Sequence, residues 1–205
     1  MDSIIFDLDG TLWDSSDVVV IAWNGVLKRY KEIKKEITKE DLQGIMGLQV
    51  KEIGSKLFPY LDEVTQQKIL QECCDVECHF LSKQGGLLYG KVEEVLKVLS
   101  KKYKLFIVSN CQSGYIEAFY EYHKLDRYFI DFENPGRTGL TKGENIKLII
   151  ERNNLKNPVY VGDTEGDQKA ARFAGIPFVF AKYGFGEVSN FDYAIKSFDG
   201  LLELF

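Results

Sequence analysis

Short apolar runs alternate with segments of helical periodicity, and this alternation constrains the fold more than any other feature. The runs lie at residues 4–6, 104–108, 128–132, 158–161 and 177–180, with a weaker one at 193–195. Nearly continuous apolar runs of this length are typical of strands that are buried on both faces. Strands connected through helices form parallel sheets with helices on both sides. We therefore predict an α/β fold with a doubly wound parallel sheet.

A long helical stretch interrupts the alternation directly after the first strand. Residues 15–84 show helical spacing in segments near 18–30, 38–46, 50–61 and 62–82, with no strand signal. Gly85 and Gly86 follow, as glycines often follow the end of a helix. We therefore predict a Rossmann-like core made of residues 1–14 and 85–205, and an inserted all-helical domain made of residues 15–84.

Periodicity and polar caps predict the remaining helices at 91–102, 113–123, 142–153, 168–174 and 201–205. Residues 38–41, 141–144 and 164–167 have the form of capping boxes, in which a threonine side chain and an acidic side chain satisfy each other's backbone N–H groups. Ser113 is predicted to cap the helix that follows it.

The charge balance argues against a nucleic-acid partner. The chain has 31 acidic and 26 basic residues, for a net charge of −5, and its short basic runs are interleaved with apolar residues as on solvated helix faces. No stretch has the length of a membrane span, and the first residues lack the basic region and apolar core of a signal peptide. We therefore expect a cytoplasmic protein with no membrane partner.

The cysteines fit the same expectation. Cys73, Cys74 and Cys78 share one helical segment and Cys111 lies far along the chain, which is a poor framework for disulfides. Cys74 and Cys78 would share a helix face, and together with His79 they could suggest a zinc site. No Cys-x-x-Cys pair accompanies them, so we favour small buried side chains over a metal site.

Polar residues follow the predicted strands where each strand ends. In open α/β sheets, ligands bind beyond the carboxyl ends of the strands. The residues placed at this edge are Asp7, Asp9, Thr11, Ser109, Asn110, Lys142, Asp163 and Asp167. Clustered carboxylates are typical ligands of Mg²⁺, and a hydroxyl, a lysine and amides at a helix N-terminus suit a phosphate. We expect Asp7 and Asp9 to raise each other's pKa unless a cation compensates.

Each of these residues also has an ordinary structural interpretation. An Asp-Gly turn commonly ends a strand, Ser109 and Asn110 suit a strand-to-helix turn, and Lys142 and Asp167 lie inside capping boxes. Their joint placement at one edge favours a site that combines a metal with a phosphate. Such a site is equipped for phosphoryl transfer to an aspartate.

Four segments resemble the motifs of the haloacid dehalogenase superfamily in its phosphatase form. Residues 6–12, Phe-Asp-Leu-Asp-Gly-Thr-Leu, are similar to its DxDGT motif, and residues 108–110 are similar to the second motif. Lys142 falls where the third motif has a lysine, and residues 162–167 resemble the GDxxxD form of the fourth. The motifs occur in the family's order and extend over the core.

The resemblance implies a role for each residue. Asp7 would be the nucleophile and a Mg²⁺ ligand, and Asp9 would be the general acid and base, with its backbone carbonyl on the metal. Thr11, Ser109, Asn110 and Lys142 would hold the transferring phosphoryl group. Asp163 would ligate Mg²⁺, and Asp167 would support the metal directly or through Lys142.

The helical insertion resembles the α-helical cap of phosphoglycolate-phosphatase-like members. The loop at residues 47–51 is similar to a substrate-specificity loop of that group, so Gln49 or Lys51 would reach the substrate. Trp13 and Trp23 would line the contact between cap and core, although core packing is the simpler interpretation for both.

These observations predict a Mg²⁺-dependent phosphatase that acts on a small phosphorylated metabolite, as a monomer or homodimer. A sugar-phosphate mutase is an alternative, but the loop lacks an arginine for a second phosphate. A carbon–halogen hydrolase would not need Asp9. A phosphorylated signalling receiver uses similar residues but carries its aspartate after a later strand and has no helical insertion, and a non-catalytic binding module would not need Asp9 and Lys142 together.

Overall fold

The computed structural model describes residues 1–48 and 50–205, and at positions 50 and 51 it describes the backbone alone. The strands are β1 (Ser3–Phe6), β2 (Trp13–Asp14), β3 (Leu87–Leu88), β4 (Lys104–Val108), β5 (Asp131–Glu133), β6 (Pro158–Gly162), β7 (Phe178–Ala181) and β8 (Tyr193–Ile195). The helices are α1 (Ser16–Leu27), α2 (Lys39–Gln43), α3 (Val50–Leu57), α4 (Glu63–Gln84), α5 (Val92–Leu99), α6 (Tyr115–His123), α7 (Pro135–Thr138), α8 (Lys142–Arg152), α9 (Glu165–Ala174) and α10 (Leu201–Leu204). Two 3₁₀ turns lie at Asp126–Tyr128 and Phe198–Gly200.

One six-stranded sheet has the order β5-β4-β1-β6-β7-β8, and every neighbouring pair in it runs parallel. Strand β1 lies between β4 and β6, with Phe6 opposite Ile107 on one side and Val161 on the other. The carboxyl ends of the three strands therefore meet at one edge. This arrangement confirms the predicted doubly wound α/β core.

Alternate residues of each central strand belong to two separate hydrophobic cores. Ile4 and Phe6 pack with α5 and α6 on one face, whereas Ile5 packs with Ile146 and Ile149 of α8 on the other. Successive side chains of a strand point to opposite faces, so a strand that is apolar at every position must be covered on both. The first core continues from the sheet into helices α1 to α4.

Helices α1 to α4 occupy the stretch between β2 and β3, and the described part of that stretch contains no strand. Helix α4 begins after Asp62, whose side chain accepts a hydrogen bond from the Thr65 backbone N–H, and packs along α1. The predicted capping boxes at 38–41, 141–144 and 164–167 are all present. None of the helices in the described part of the chain has the length and apolar character that a membrane span requires.

The third predicted strand was misplaced. Residues 126–128 form a 3₁₀ turn, and β5 begins only at Asp131. The apolar run led to the error, because Phe129 packs its ring against Phe6 from the residue that follows the 3₁₀ turn, outside any strand. Strand β5 is an edge strand, which tolerates charged residues, and Arg152 pairs with both Asp131 and Glu133 there.

Two smaller expectations also needed correction. Helix α6 is capped by Gly114 in the left-handed region (φ +92°) instead of by Ser113, with Glu117 accepting from the Gly114 backbone N–H. Helix α9 begins at Glu165, three residues earlier than predicted, because its capping box starts the helix directly after Thr164. The four cysteines are free thiols, and Cys73 and Cys74 are buried.

A short antiparallel pair that the sequence did not predict joins the helical stretch to the rest of the chain. Trp13 pairs with Leu88 and Asp14 with Leu87. Gly86 lies against this pair, and a Cβ at that position would come within 2.8 Å of the Asp14 carbonyl oxygen. Strands of two residues are too short to give a periodic signal.

Candidate active site

The predicted site residues that follow β1, β4 and β6 lie together at the carboxyl edge of the sheet. Asp7 continues β1, and its backbone N–H donates to the Val161 carbonyl at 2.8 Å. Ser109 follows β4 and Asp163 follows β6. All three side chains are buried, with exposed fractions of at most 4%.

Lys142 enters this group from the first turn of α8, where Thr141 caps the helix. Its ammonium nitrogen lies 3.0 Å from Asp7 Oδ1 and 2.5 Å from Asp167 Oδ1. Burial alone would lower the pKa of Lys142, but the charges of Asp167 and Asp7 raise it above its usual value. Lys142 is therefore a fixed positive charge beside the nucleophile candidate.

Asp167 both caps helix α9 and pairs with Lys142. Its Oδ2 accepts from the backbone N–H and the hydroxyl of Thr164, at 2.9 and 2.7 Å, which completes the cap of α9. Its Oδ1 accepts from Lys142. The side chain is fully buried, so capping the helix also fixes the partner of the lysine.

The acidic cluster has the composition of a divalent-cation site. Asp7, Asp163 and Asp167 each offer one oxygen, and these oxygens lie within 4.8 Å of one another. Oδ1 of Asp7 and Oδ1 of Asp163 are buried and accept no hydrogen bond of regular geometry. Burial raises the pKa of both carboxyls, and the Asp167 charge raises them further. Since Lys142 supplies one positive charge for three carboxylates, a Mg²⁺ ion fits the remaining need.

Two glycines make room for Asp163. Gly10 has φ +77°, and a Cβ there would lie 2.1 Å from Asp163 Oδ2, while a Cβ at Gly184 would lie 2.3 Å from its Cβ. The Phe185 backbone N–H donates to the same Oδ2 at 2.7 Å. Because Oδ2 is held in this way, Oδ1 is the oxygen left for a ligand.

Asp9 is held by two residues that the sequence analysis did not place in the site. Ser15 donates to Asp9 Oδ1 at 2.6 Å and Tyr115 donates to the same oxygen at 2.9 Å. Burial raises the pKa of Asp9 to about 6 against the effect of these hydrogen bonds. The pKa values of Asp7 and Asp9 are both raised, as expected, but burial is the main cause for each, and the carboxylate with the largest effect on Asp7 is Asp167.

The remaining candidates for phosphate binding lie close by and differ in their hydrogen bonds. The Ser109 hydroxyl hydrogen-bonds to Asp7 and lowers its pKa against the effect of burial. Asn110 donates from Nδ2 to the Gly47 carbonyl at 2.8 Å, and its Oδ1 has no hydrogen-bond partner among the described residues. Thr11 is fully buried, and no described residue hydrogen-bonds to its hydroxyl.

A cavity of about 520 Å³ opens above this edge, between the sheet and helices α1 to α4. Asp7, Asp9 and Ser109 line its floor, and Trp23 and Glu77 line it from the helical side. Glu77 of α4 and Gln112, which lies in the loop between β4 and α6 and also lines the cavity, were not singled out from the sequence, because a lone polar residue carries no local signal. The cavity is where a substrate would meet Asp7.

The structure tests the prediction for Trp13 but describes only part of the predicted specificity loop. Trp13 is fully buried and packs against Tyr115, Phe119 and His123, as core packing predicts. Gly47 and Leu48 line the cavity. Gln49 lies outside the described residues, and the side chain of Lys51 is not described.

Comparison with known proteins gives the family. The family described as haloacid dehalogenase-like hydrolase matches residues 4–181. A phosphoglycolate phosphatase of Vibrio parahaemolyticus is 25% identical over 216 residues, which cover 98% of this chain and 94% of that protein. A phosphorylated carbohydrates phosphatase of Thermotoga maritima is 27% identical over 192 residues, covering 88% of this chain and 84% of that protein.

A solved structure gives the same fold. The haloacid dehalogenase-like family hydrolase of Streptococcus pneumoniae superposes with a TM-score of 0.87 at 21% identity, covering 100% of this chain and 98% of that one. The match of the family to most of the chain agrees with the four motifs and with the buried Asp7–Lys142–Asp167 group. The chain therefore belongs to the haloacid dehalogenase-like hydrolase family and is a phosphatase-type hydrolase.

Proposed function

We propose that the chain is a Mg²⁺-dependent phosphatase that hydrolyses a small phosphate ester through an aspartyl-phosphate. The observation that carries the proposal is the position of Asp7: the residue lines the cavity, and its Oδ1 lies 3.0 Å from the ammonium nitrogen of Lys142. A carboxylate held beside a permanent cation is suited to attack a phosphoryl group.

Asp7 and Asp163 would hold the Mg²⁺ ion, together with the backbone carbonyl of Asp9, and Asp167 would support it through Lys142. The donor set consists of hard oxygen atoms, as this ion prefers. When bound, the ion would neutralise charge on the transferring phosphoryl oxygens. Two buried carboxylate oxygens that accept no hydrogen bond of regular geometry from the described residues, Oδ1 of Asp7 and Oδ1 of Asp163, support this assignment.

The chemistry takes two steps. The Asp7 carboxylate attacks phosphorus, the bond from phosphorus to the ester oxygen breaks, and protonated Asp9 gives its proton to the departing alcohol. Ionised Asp9 then takes a proton from water as the water attacks the aspartyl-phosphate, which releases phosphate and restores both carboxyls. Ser109 and Lys142 would hold the phosphoryl oxygens in both steps, with Thr11 and Asn110 nearby.

We propose that residues 15–84 form a cap that closes over the cavity, with the core formed by residues 1–14 and 85–205. The continuous helical stretch between β2 and β3 supports this division. A cap excludes bulk water and selects the leaving group. Gln49 and Lys51 remain proposed specificity residues. We further propose that the protein works in the cytoplasm as a monomer or homodimer, which its composition and free cysteines support.

The test is hydrolysis of 4-nitrophenyl phosphate with and without Mg²⁺, by the wild type and by Asp7→Asn. We expect the asparagine variant to lose at least ~10³-fold in kcat, because the amide is a poor nucleophile. Asp17→Asn, on the exposed side of α1, is the matched control and should keep wild-type activity. Mass spectrometry of acid-quenched wild type should find one added phosphoryl group on Asp7. Full activity of Asp7→Asn would refute the proposal.

A further inference from the structure

The half of the cavity that faces away from Asp7 is lined mainly by apolar side chains. Six of them come from the helical stretch and the loop within it: Val19, Leu42, Ile45, Leu48, Ile53 and Leu70. Pockets of about 300–1,000 Å³ with such linings bind mostly apolar ligands of drug size. The cavity of about 520 Å³ is therefore larger than a leaving group of two carbon atoms requires.

One acidic side chain interrupts the apolar lining. Glu77 of α4 is 4% exposed. Its Oε2 accepts a hydrogen bond from Trp23 Nε1, and its Oε1 accepts one of 2.8 Å from Gln112 Nε2. Two donors from different segments hold the carboxylate in one orientation. Each oxygen retains a second lone pair that can accept from a ligand.

The charge around Glu77 disfavours an anionic leaving group. Among the described side chains that line the cavity, which do not include that of Lys51, there is no lysine, arginine or histidine. Asp9 lies near enough that its charge raises the pKa of Glu77, after the larger effect of burial, to about 7. Above that pH a substrate carboxylate would approach the ionised carboxylates of Glu77 and Asp9, and like charges repel more strongly beside buried groups than in bulk water.

We infer that this cavity selects phosphate monoesters whose leaving alcohol is bulky and mainly apolar, carries no carboxylate, and presents a hydroxyl or ammonium hydrogen-bond donor to Glu77. The inference rests on the phosphatase function proposed above and names its substrate class. Glu77 acts here as a specificity-determining residue that touches the leaving group. Glycolate, which is small and anionic, is the opposite kind of leaving group.

Three aryl phosphates of matched shape test the inference. They are the phosphates of tyramine, tyrosol and 4-hydroxyphenylacetic acid, which end in an ammonium, a hydroxyl and a carboxylate group on the same phenyl ring. Initial rates with Mg²⁺ at pH 8, where Glu77 is ionised, give kcat/KM for each, with 4-nitrophenyl phosphate and phosphoglycolate alongside. We expect kcat/KM for the carboxylate substrate and for phosphoglycolate to be at least ~10-fold lower than for the ammonium and hydroxyl substrates.

Glu77→Gln assigns the effect to one side chain. The amide keeps the shape of the carboxylate and an oxygen that can accept from Trp23 or from Gln112, but it removes the charge. The ratio between the ammonium and carboxylate substrates should therefore fall by about 10-fold. Glu72→Gln is the control, because it removes the same charge from the same helix at a position that pairs with Arg29 outside the cavity. That variant should keep the wild-type ratio. Circular dichroism checks that both variants are folded.

The outcomes separate the two proposals. Hydrolysis of 4-nitrophenyl phosphate combined with equal or better use of the carboxylate substrates overturns the inference and leaves the phosphatase function intact. An unchanged ratio in folded Glu77→Gln also overturns it. If none of the esters is hydrolysed, the phosphatase function fails and the inference fails with it. The wild-type comparison remains decisive if Glu77→Gln does not fold.

Discussion

Asn110 Nδ2 donates a hydrogen bond of 2.8 Å to the backbone carbonyl of Gly47, which connects the end of β4 to the loop between α2 and α3. Gly47 has φ +78°, and a Cβ at this position would lie 3.5 Å from the Thr164 hydroxyl oxygen, so the loop lies against the segment after β6 at this point. Such a contact would hold a cap closed over a substrate. Asn110 makes it with the side-chain amide that was expected to bind phosphate.

Replacing Asn110 with alanine should loosen this contact. We expect kcat/KM for 4-nitrophenyl phosphate to fall by about 5–50-fold, because the loop and a polar group near the phosphoryl site are both released. Limited proteolysis should cut the loop around residue 48 faster in the variant. Asn190→Ala, at an exposed position, is the control. Unchanged cleavage and activity would show that the hydrogen bond has no closing role.

Magnesium should stabilise the folded chain. A ligand that binds only the native state raises the free energy of unfolding, by about 2.7 kcal/mol at a hundred times its Kd. We expect Mg²⁺ to raise the Tm of the wild type and to leave the Tm of Asp163→Asn nearly unchanged. The amide of the variant carries no negative charge to bind the ion. Differential scanning fluorimetry measures both, with exposed Asp126→Asn as the control. An equal rise in Asp163→Asn would place the ion elsewhere.

Removing the Tyr115 hydroxyl should impair proton transfer by Asp9. In Tyr115→Phe one of the two donors to Asp9 Oδ1 is lost. We expect kcat to fall about 10-fold for an alkyl phosphate, whose leaving group needs a proton, and much less for 4-nitrophenyl phosphate, whose leaving group does not.

Tyr120→Phe is a close control for this experiment. Tyr120 lies on the same helix, and its buried hydroxyl has no hydrogen-bond partner. Its removal should leave the rates unchanged and should not destabilise the protein. If Tyr115→Phe affected both substrates equally, the hydroxyl would not act through the proton on Asp9.

Loss of the Lys142 charge should cost stability as well as activity. In Lys142→Met the carboxylates of Asp7 and Asp167 remain buried without their cation, and removing one partner of a buried pair costs about 3–5 kcal/mol. Urea denaturation in EDTA measures the loss. Lys169→Met removes an exposed partner of Glu165 and should cost less than about 0.5 kcal/mol. Equal losses in the two variants would contradict this account.

Glu77 should make the stability depend on pH. Burial raises its folded pKa from 4.5 to about 7, so the folded state keeps a proton that the unfolded state has lost. The free energy of unfolding therefore falls as pH rises from about 4.5 to about 7. The wild type should lose roughly 2–3 kcal/mol more than Glu77→Gln across this range, since a tenfold change in an acid constant corresponds to about 1.4 kcal/mol. Parallel curves would exclude a raised pKa.

The gathering of Asp7, Ser109 and Asp163 was predictable because parallel strands place their carboxyl ends at one edge of the sheet. The apolar runs identified β1, β4 and β6 almost to the residue, since a strand covered on both faces contains little else. Local chemistry also identified the capping boxes, because both partners lie within three residues of each other.

The contacts of Asp9 and Glu77 could not be predicted in the same way. Tyr115 lies 106 residues from Asp9, and Trp23 lies 54 residues from Glu77. Such pairs depend on how the helical stretch docks on the core, which no local spacing records. The edge strand β5 was misplaced for a related reason, because its charged residues do not resemble the apolar central strands.

The antiparallel pairing of Trp13–Asp14 with Leu87–Leu88 has a consequence for how such a chain can change. The chain leaves and rejoins the sheet-bearing part at adjacent points. The intervening segment is therefore an insertion whose two ends are held together by the strand pair. Exchanging it for another segment of different length would leave the order of the sheet unaffected and would add little loop-closure entropy. Under the proposed division, the groups that would perform the chemistry and the groups that would select the substrate can thus vary independently along one chain.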